Sequence, residues 1–109
     1  MKIIGNWETR EITVDGKKLS PLDSQKVWNH SPDGFSWGYG GSGPAQLALA
    51  LLLLVTHRVI ATRLHQALKE ELIAGLPQGD FFTEFDLKKW VLSKRYEAPL
   101  AETKRQDAL

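Results

Sequence analysis

The chain has 109 residues, about the size of one small domain, which excludes enzymes that need separate nucleotide-binding and substrate-binding domains. Its formal net charge is +1, with 42% hydrophobic and 25% charged residues, and this composition excludes a polycation and an acidic disordered chain. The lack of cysteine excludes disulfides, thiolate catalysis and cysteine-ligated metal sites.

The N-terminal residues do not follow the pattern of a secretory signal. After Lys2, only two large apolar residues, Ile3 and Ile4, precede the polar Asn6, whereas a signal peptide carries a longer apolar segment. The longest apolar run, residues 44–55, is also shorter than the roughly 20 residues that cross a bilayer. We therefore expect a cytoplasmic protein that does not enter the membrane.

A short hairpin is the first element that the sequence predicts. Residues 10–14 alternate polar and apolar side chains, as a strand does. Residues 17–19 form the returning strand after the Asp-Gly pair at 15–16. Asp-Gly favours the tight two-residue turn that joins antiparallel strands. Further short strands are predicted at residues 27–28 and 35–39, where aromatic side chains are enriched.

The most apolar helix is predicted at residues 44–55. Proline is favoured in the first turn of a helix, and Ser42 or Gly43 can serve as the N-cap. Because the leucines leave this segment no polar face, we expect protein to surround it on most sides. Residues 34–57 carry no Lys, Arg, Asp or Glu, so this stretch should form the interior of the molecule.

Two further helices are predicted. One runs over residues 58–74 with an apolar stripe at helical spacing, and Gly75 and Pro77 end it. The other starts after Thr83, whose side chain is the expected cap, with Asp86 in the first turn. The order of strands first and helices second indicates an α+β fold.

These elements predict one compact domain over residues 1–96. A short antiparallel sheet or hairpin from the N-terminal half packs in it against two or three C-terminal helices. Residues 97–109 carry few large apolar groups and no periodicity, so they are expected to form a flexible tail. The short segment 55–58 leaves open whether the helices on either side of it are continuous.

Residues 30–52, HSPDGFSWGYGGSGPAQLALALL, form a distinctive signature segment. This segment resembles a family of small uncharacterised proteins of bacteria, some archaea and their phages, classed as a domain of unknown function. Residues 14–21 and 76–77 are also similar to that family, so the resemblance covers roughly residues 7–93. The chain departs from the family pattern after Leu54, where a more polar break between helices is expected. The resemblance implies no activity, but it implies a protein of phages or mobile elements that acts by binding host proteins.

The glycine-rich loop, residues 38–43, satisfies the pattern G-x-G-x-x-G ahead of a predicted helix, where backbone N–H groups attract phosphate. The residues that would hold a nucleotide or another anion there are Gly40, Gly41, Ser42 and Gly43. A dinucleotide site also needs a parallel βαβ unit and an acidic residue about 20 positions further on, where this chain has Arg58 and Arg63. We therefore favour a structural role, in which the glycines allow close packing and Ser42 caps the helix.

The histidines do not form a recognisable metal or catalytic motif. His30, His57 and His65 lack the i, i+4 pair and the H-E-x-x-H pattern. His30 is expected to bond within its own turn, near Asp33, and His65 is expected close to the solvated side of its helix. Ser42 lacks the second glycine of a nucleophile elbow. The sequence thus predicts no enzyme, no catalytic residue, no metal and no cofactor.

Aromatic and basic side chains are the candidates for binding a partner. Aromatic residues dominate protein-interface hot spots, and this chain has more of them than so small a core hides. The candidates are Trp7, Phe81 and Phe82, with the last two expected in a loop, and the basic residues Lys88, Lys89 and Arg95. Two or three aromatics exposed together would give a protein-binding patch or a homodimer. Nucleic acid is less favoured, because nearby acids offset the basic residues and the pI is about 8.0.

The leading hypothesis is a small non-enzymatic interaction protein of phage or mobile-element type that binds and modulates a host or phage protein. Its most specific form is an inhibitor of a host defence system, such as an anti-CRISPR protein. The alternatives are nucleotide or anion binding at the glycine-rich loop and weak nucleic-acid binding.

Overall fold

The computed structural model of the chain describes residues 1–94, in which a four-stranded antiparallel sheet shares one hydrophobic core with the helices. The strands are β1 (Lys2–Gly5), β2 (Ile12–Val14), β3 (Lys17–Leu19) and β4 (Phe81–Glu84), in the spatial order β3-β2-β1-β4. The predicted α+β fold with an antiparallel sheet is confirmed, although β4 comes from the C-terminal half. Arg95 and the predicted tail, residues 97–109, lie outside the described residues.

The hairpin of β2 and β3 follows from its turn residues. The register pairs Val14 with Lys17, so Asp15 and Gly16 form a two-residue connection. Both have positive φ, 50° and 83°, as a type I′ turn requires. The predicted hairpin is confirmed, and Ile12 and Val14 are buried in the core.

Strands β1 and β4 show no alternation of polar and apolar residues, because each contains two adjacent large apolar residues. They pair antiparallel, with Ile4 opposite Phe82 and Gly5 opposite Phe81. Ile3 and Phe81 are buried in the core, whereas Ile4 and Phe82 lie on the outer face of the sheet. The prediction that Phe81 and Phe82 lie in a loop is wrong, because pairing with β1 holds them in an extended strand.

The described helices are α1 (Leu22–Val27), α2 (Ser42–Leu53), α3 (Arg58–Leu68) and α4 (residues 87–94). A π-helical turn, Lys69–Ile73, continues α3. Residues 54–57 form a turn, so α2 and α3 are not continuous. Helix α2 begins and ends two residues earlier than predicted.

Helix α2 runs through the centre of the core. Ten consecutive residues, 43–52, are buried, as the uncharged stretch of sequence predicts. Leu47, Leu49 and Leu51 are all completely covered, so protein surrounds different faces of the helix. Within residues 1–94, no helix is long and apolar enough to span a membrane.

Two predicted strands are not present. Residue 27 ends α1 and residue 28 caps it, because the segment after Pro21 is helical instead of extended. Residues 35–39 are irregular, since Gly38 has a φ of 83° and turns the chain away from an extended path.

The cap of α4 also differs from the prediction. Thr83 lies inside β4, and the Asp86 carboxylate accepts a hydrogen bond from the backbone N–H of Lys89 at 3.1 Å. A side-chain oxygen bonded to the N–H three residues further on is the geometry of a helix N-cap. Asp86 therefore caps α4 in place of Thr83.

A buried glutamine in α2 holds the loop that precedes the helix. Gln46 is fully buried, and its Oε1 accepts the backbone N–H groups of His30 and Ser31 at 2.8 and 3.0 Å. Its Nε2 donates to the Ser24 hydroxyl at 2.9 Å and to the Trp28 carbonyl at 3.1 Å. Both carboxamide hydrogens and both lone pairs of the oxygen are thus used. Gln46 joins α1, the following loop and α2.

Candidate functional site

The glycine-rich loop is closely packed against its neighbours. A Cβ added to Gly43 would lie 2.7 Å from the Cβ of Ser36 and 3.0 Å from its backbone nitrogen. The ring of Tyr39 occupies the space that a Cβ on Gly41 would need. Close packing therefore accounts for both glycines without a ligand.

Ser42 does not cap α2, contrary to the prediction. Gly41 is the N-cap, Ser42 is the first helical residue, and no side chain bonds to the cap position. Pro44 lacks an N–H, so the first turn offers an anion fewer backbone donors than an ordinary helix start. The structure does place residues 40–43 together at a helix start. Anion binding there stays a prediction, and packing is the better-supported role.

Trp37 is the centre of the aromatic packing. It is fully buried, and its indole N–H donates to the Gly79 carbonyl at 2.8 Å. Trp7 and Phe81 pack edge-on against it, with ring centroids 5.5 and 5.0 Å away. Gly5 allows this approach, because a Cβ there would collide with the rings of Phe81 and Trp37. Phe35 and Trp37 of the signature segment thus belong to the core.

Two of the predicted partner-binding aromatics are engaged inside the protein. Phe81 is 6% exposed and belongs to the core, so burial leaves it almost no surface to offer a partner. Trp7 is partly buried, and the guanidinium of Arg10 lies 3.6 Å from its ring centroid. The backbone N–H of Trp7 donates to the Asp80 carboxylate at 2.7 Å. Trp7 therefore anchors the segment that follows β1.

The predicted basic candidates Lys88 and Lys89 are exposed on α4. On the same helix, Lys94 pairs with Glu71 at 3.0 Å, and the indole of Trp90 donates to that carboxylate at 3.2 Å. The hydrogen bond from Lys94 is the main reason that the pKa of Glu71 lies below its ordinary value. Trp90 therefore anchors α4, and Lys88 and Lys89 stay available on the surface.

Ile4 and Phe82 form an exposed apolar pair on the outer face of the sheet. They are 46% and 60% exposed and lie directly opposite each other in β1 and β4. Residues that face each other across antiparallel strands lie close enough for their side chains to touch. The sequence predicted Phe82 as a partner-binding residue but not Ile4. The only indication of Ile4 in the sequence is its position next to Ile3, in a strand that was not predicted. We name this pair the Ile4–Phe82 face.

A second cluster contains Trp28, His30 and His65. Trp28 is 49% exposed, and its ring stacks on His30 at a centroid distance of 4.4 Å. His65 Nδ1 lies 2.6 Å from the Thr62 carbonyl oxygen, so this nitrogen carries a proton and donates it. His65 Nε2 therefore accepts from the Nε2–H of His30 at 2.9 Å.

This bond corrects two predictions about the histidines. His30 does not bond within its own turn but reaches α3, and His65 is 1% exposed instead of lying near solvent. The hydrogen bond between His30 and His65 depends on where the loop after α1 lies against α3. No local pattern in the sequence predicts that position. The imidazole pair therefore links the loop to α3.

Burial favours the neutral form of both imidazoles. Burial is the main cause that lowers the pKa of His30 below its ordinary 6.5, and the charges of His65 and Lys69 add to it. Burial also lowers the pKa of His65 and outweighs the bond to the Thr62 carbonyl, which favours the charged form. In the part of the chain that the structure describes, no group of three or more His, Asp or Glu side chains could hold a metal ion.

Two alanine variants separate packing from ligand binding at the glycine-rich loop. Gly43→Ala should lower the free energy of unfolding by about 1–3 kcal/mol, because the new methyl presses on the backbone of Ser36. Gly40 faces open space, so Gly40→Ala should change it by less than about 0.5 kcal/mol. Urea unfolding without added ligand measures both values. Equal stability of the two variants would contradict the packing role.

The histidine pair predicts that acid weakens the fold. An unfolded histidine protonates near pH 6.5 and the folded pair protonates at lower pH, so the unfolded state binds more protons below pH 6.5. The free energy of unfolding should therefore fall as the pH drops from 6.5 towards about 5, as urea titrations at several pH values measure.

His30→Gln should reduce that pH slope, because it removes one imidazole of the pair. His57→Gln is the matched control, since it removes an exposed imidazole at the start of α3 and should leave the slope in place. A stability that rises on acidification, or an unchanged slope in His30→Gln, would overturn this explanation.

Comparison with known proteins gives one match. No curated protein and no solved structure among those compared matches the chain. A family model, described as a family of unknown function, matches residues 5–93. This range contains the whole signature segment, residues 30–52, and all of β4. The chain therefore belongs to the family of unknown function DUF6166.

Proposed function

We propose that the protein is a small non-enzymatic interaction protein that binds a partner protein through the Ile4–Phe82 face and the adjoining edge of β4. The observation that carries the proposal is an exposed apolar pair beside a sheet edge to which no further strand pairs within residues 1–94. An extended segment of a partner can add to such an edge through its main chain and place side chains on the neighbouring apolar surface.

The backbone of β4 supports this mode of binding. Met1 and Phe85 exchange two hydrogen bonds, of 2.9 and 3.0 Å, at the end of the β1 and β4 pair. Hydrogen-bonded and non-hydrogen-bonded pairs alternate along an antiparallel ladder. Phe82 and Glu84 therefore direct their N–H and C=O groups away from β1, towards the open edge.

The two edges of the sheet differ in how they deter pairing. Strand β3 presents the exposed side chains of Lys17 and Lys18, and charges on an edge strand discourage a second strand from adding to it. Strand β4 presents Phe82, and its acidic residue Glu84 lies opposite Lys2 of β1. The edge at β4 is therefore the better docking place.

The proposed partner is a host or phage protein whose action the binding modulates. Inhibition of a host defence system, in the manner of an anti-CRISPR protein, is the most specific version of the proposal. The resemblance of its signature segment to a family of small bacterial, archaeal and phage proteins supports it. Nucleotide or anion binding at the glycine-rich loop has less support, because packing accounts for Gly41 and Gly43.

Phe82→Lys should weaken partner binding and keep the fold, because it changes a side chain that lies outside the core. Leu22→Lys is the matched control, since Leu22 is 64% exposed and lies on α1. Affinity capture from a host lysate with quantitative mass spectrometry compares the wild type with both variants. We expect one protein retained stoichiometrically by the wild type and Leu22→Lys, and retained about tenfold less by Phe82→Lys.

Thermal unfolding of Phe82→Lys shows whether the variant is folded before its binding is interpreted. Lack of any stoichiometric partner for the wild type, or equal retention by Phe82→Lys, contradicts the proposal. Sedimentation of the purified chain tests whether a second copy of the chain, instead of a host protein, binds at the edge of β4. A dimer that Phe82→Lys dissociates would contradict a host partner at this edge, because a second copy would already fill it.

A further inference from the structure

A groove lies between the C-terminal end of α1 and one face of α3. The residues that line it are Val27, Arg58, Val59, Thr62 and Arg63. None of them belongs to the sheet, so the groove is separate from the Ile4–Phe82 face. We call it the α1–α3 groove.

Apolar side chains line the groove, and a fixed aromatic ring follows one of them in the chain. Val59 is 59% exposed, and Val27 is partly exposed at the end of α1. Trp28, the next residue, stacks on His30, and its ring centroid lies 5.5 Å from that of His65 in α3. A large ring that is already held in place contacts a partner with little loss of side-chain freedom.

The two charged residues that line the groove are arginines. Arg58 and Arg63 are exposed, and α3 has no Asp or Glu from its first residue to its last. Lys26 is exposed in the last turn of α1. Arg58 occupies the first turn of α3, where the helix dipole disfavours a cation. Helix stability therefore does not explain why a basic residue stands there.

We propose that the α1–α3 groove docks an acidic amphipathic segment of a second protein. Its apolar side chains contact Val27 and Val59 and lie beside Trp28, and its carboxylates face Arg58. The basic rim selects an acidic occupant through charge complementarity. The apolar lining favours a protein over a nucleic acid, whose contacts go largely to phosphate and sugar. This second surface goes beyond binding at the sheet and would let one chain hold two proteins at once.

Nuclear magnetic resonance of the isotope-labelled chain tests the proposal with a defined probe. The probe is a synthetic peptide that carries Leu and Glu at helical spacing, and the control peptide has Lys at every Glu position. We expect the Glu peptide to shift the amide signals of Val27 and Val59 and the indole signal of Trp28. These shifts should weaken as salt is raised, because the contacts at the rim are electrostatic. A single-stranded DNA oligonucleotide tests the competing class of ligand.

Arg58→Glu and Val59→Asp separate binding from folding. Each places an acid in the first turn of α3, where the dipole favours it, so the melting temperature should stay unchanged or rise. Each should nevertheless weaken binding of the Glu peptide by about tenfold or more. Leu22→Asp is the matched control and should bind like the wild type. Phe82→Lys should also bind normally, so failure at the groove is distinguishable from failure at the sheet edge.

Three results would overturn the proposal. The first is the absence of shifts at the groove with the Glu peptide at about 1 mM, a concentration that detects even weak docking. The second is a larger response at the groove to the Lys peptide or to DNA than to the Glu peptide. The third is wild-type affinity in Arg58→Glu, which would show that the basic rim does not recognise the acidic segment.

Discussion

The carboxamide of Gln46 sets the path of the signature segment through the core. It lies in a helix whose residues 43–52 are all buried, where an unsatisfied amide group would cost about 1–3 kcal/mol. Four hydrogen bonds within the protein satisfy it, and two of them hold the amides of His30 and Ser31. These bonds fix the backbone of the loop that precedes Trp37 in the sequence. They thereby help to define the path of the chain into the aromatic core.

The contacts of neighbouring residues place two aromatic side chains at the surface. Gln46 bonds to the carbonyl of Trp28, whose ring stays half exposed beside α3. On the sheet, Trp37 packs against Phe81, and neighbouring residues of a strand face opposite sides. Phe82 must therefore face outward. Each proposed docking surface therefore has an exposed aromatic side chain in it or next to it, Phe82 on the sheet and Trp28 beside the α1–α3 groove.

The hairpin turn at residues 15–16 and the burial of α2 were predictable because turn chemistry and apolar runs are local signals. Strands β1 and β4 were not, since their adjacent apolar residues show no alternation and their pairing joins residues far apart in the sequence. The contact between His30 and His65 escaped prediction for the same reason. Phe81 and Phe82 are identical and adjacent, and only the orientation of β4 makes one a core residue and the other a surface residue.

The buried carboxamide of Gln46 fixes the loop at residues 30–31 without any ligand. Native-state hydrogen exchange of the His30 and Ser31 amides in the isolated chain tests it most directly. Because both amides donate to Gln46 Oε1, their exchange should be slowed by about a hundredfold or more relative to the unfolded chain. Exchange of both amides at the rate of an unstructured loop would contradict the claim.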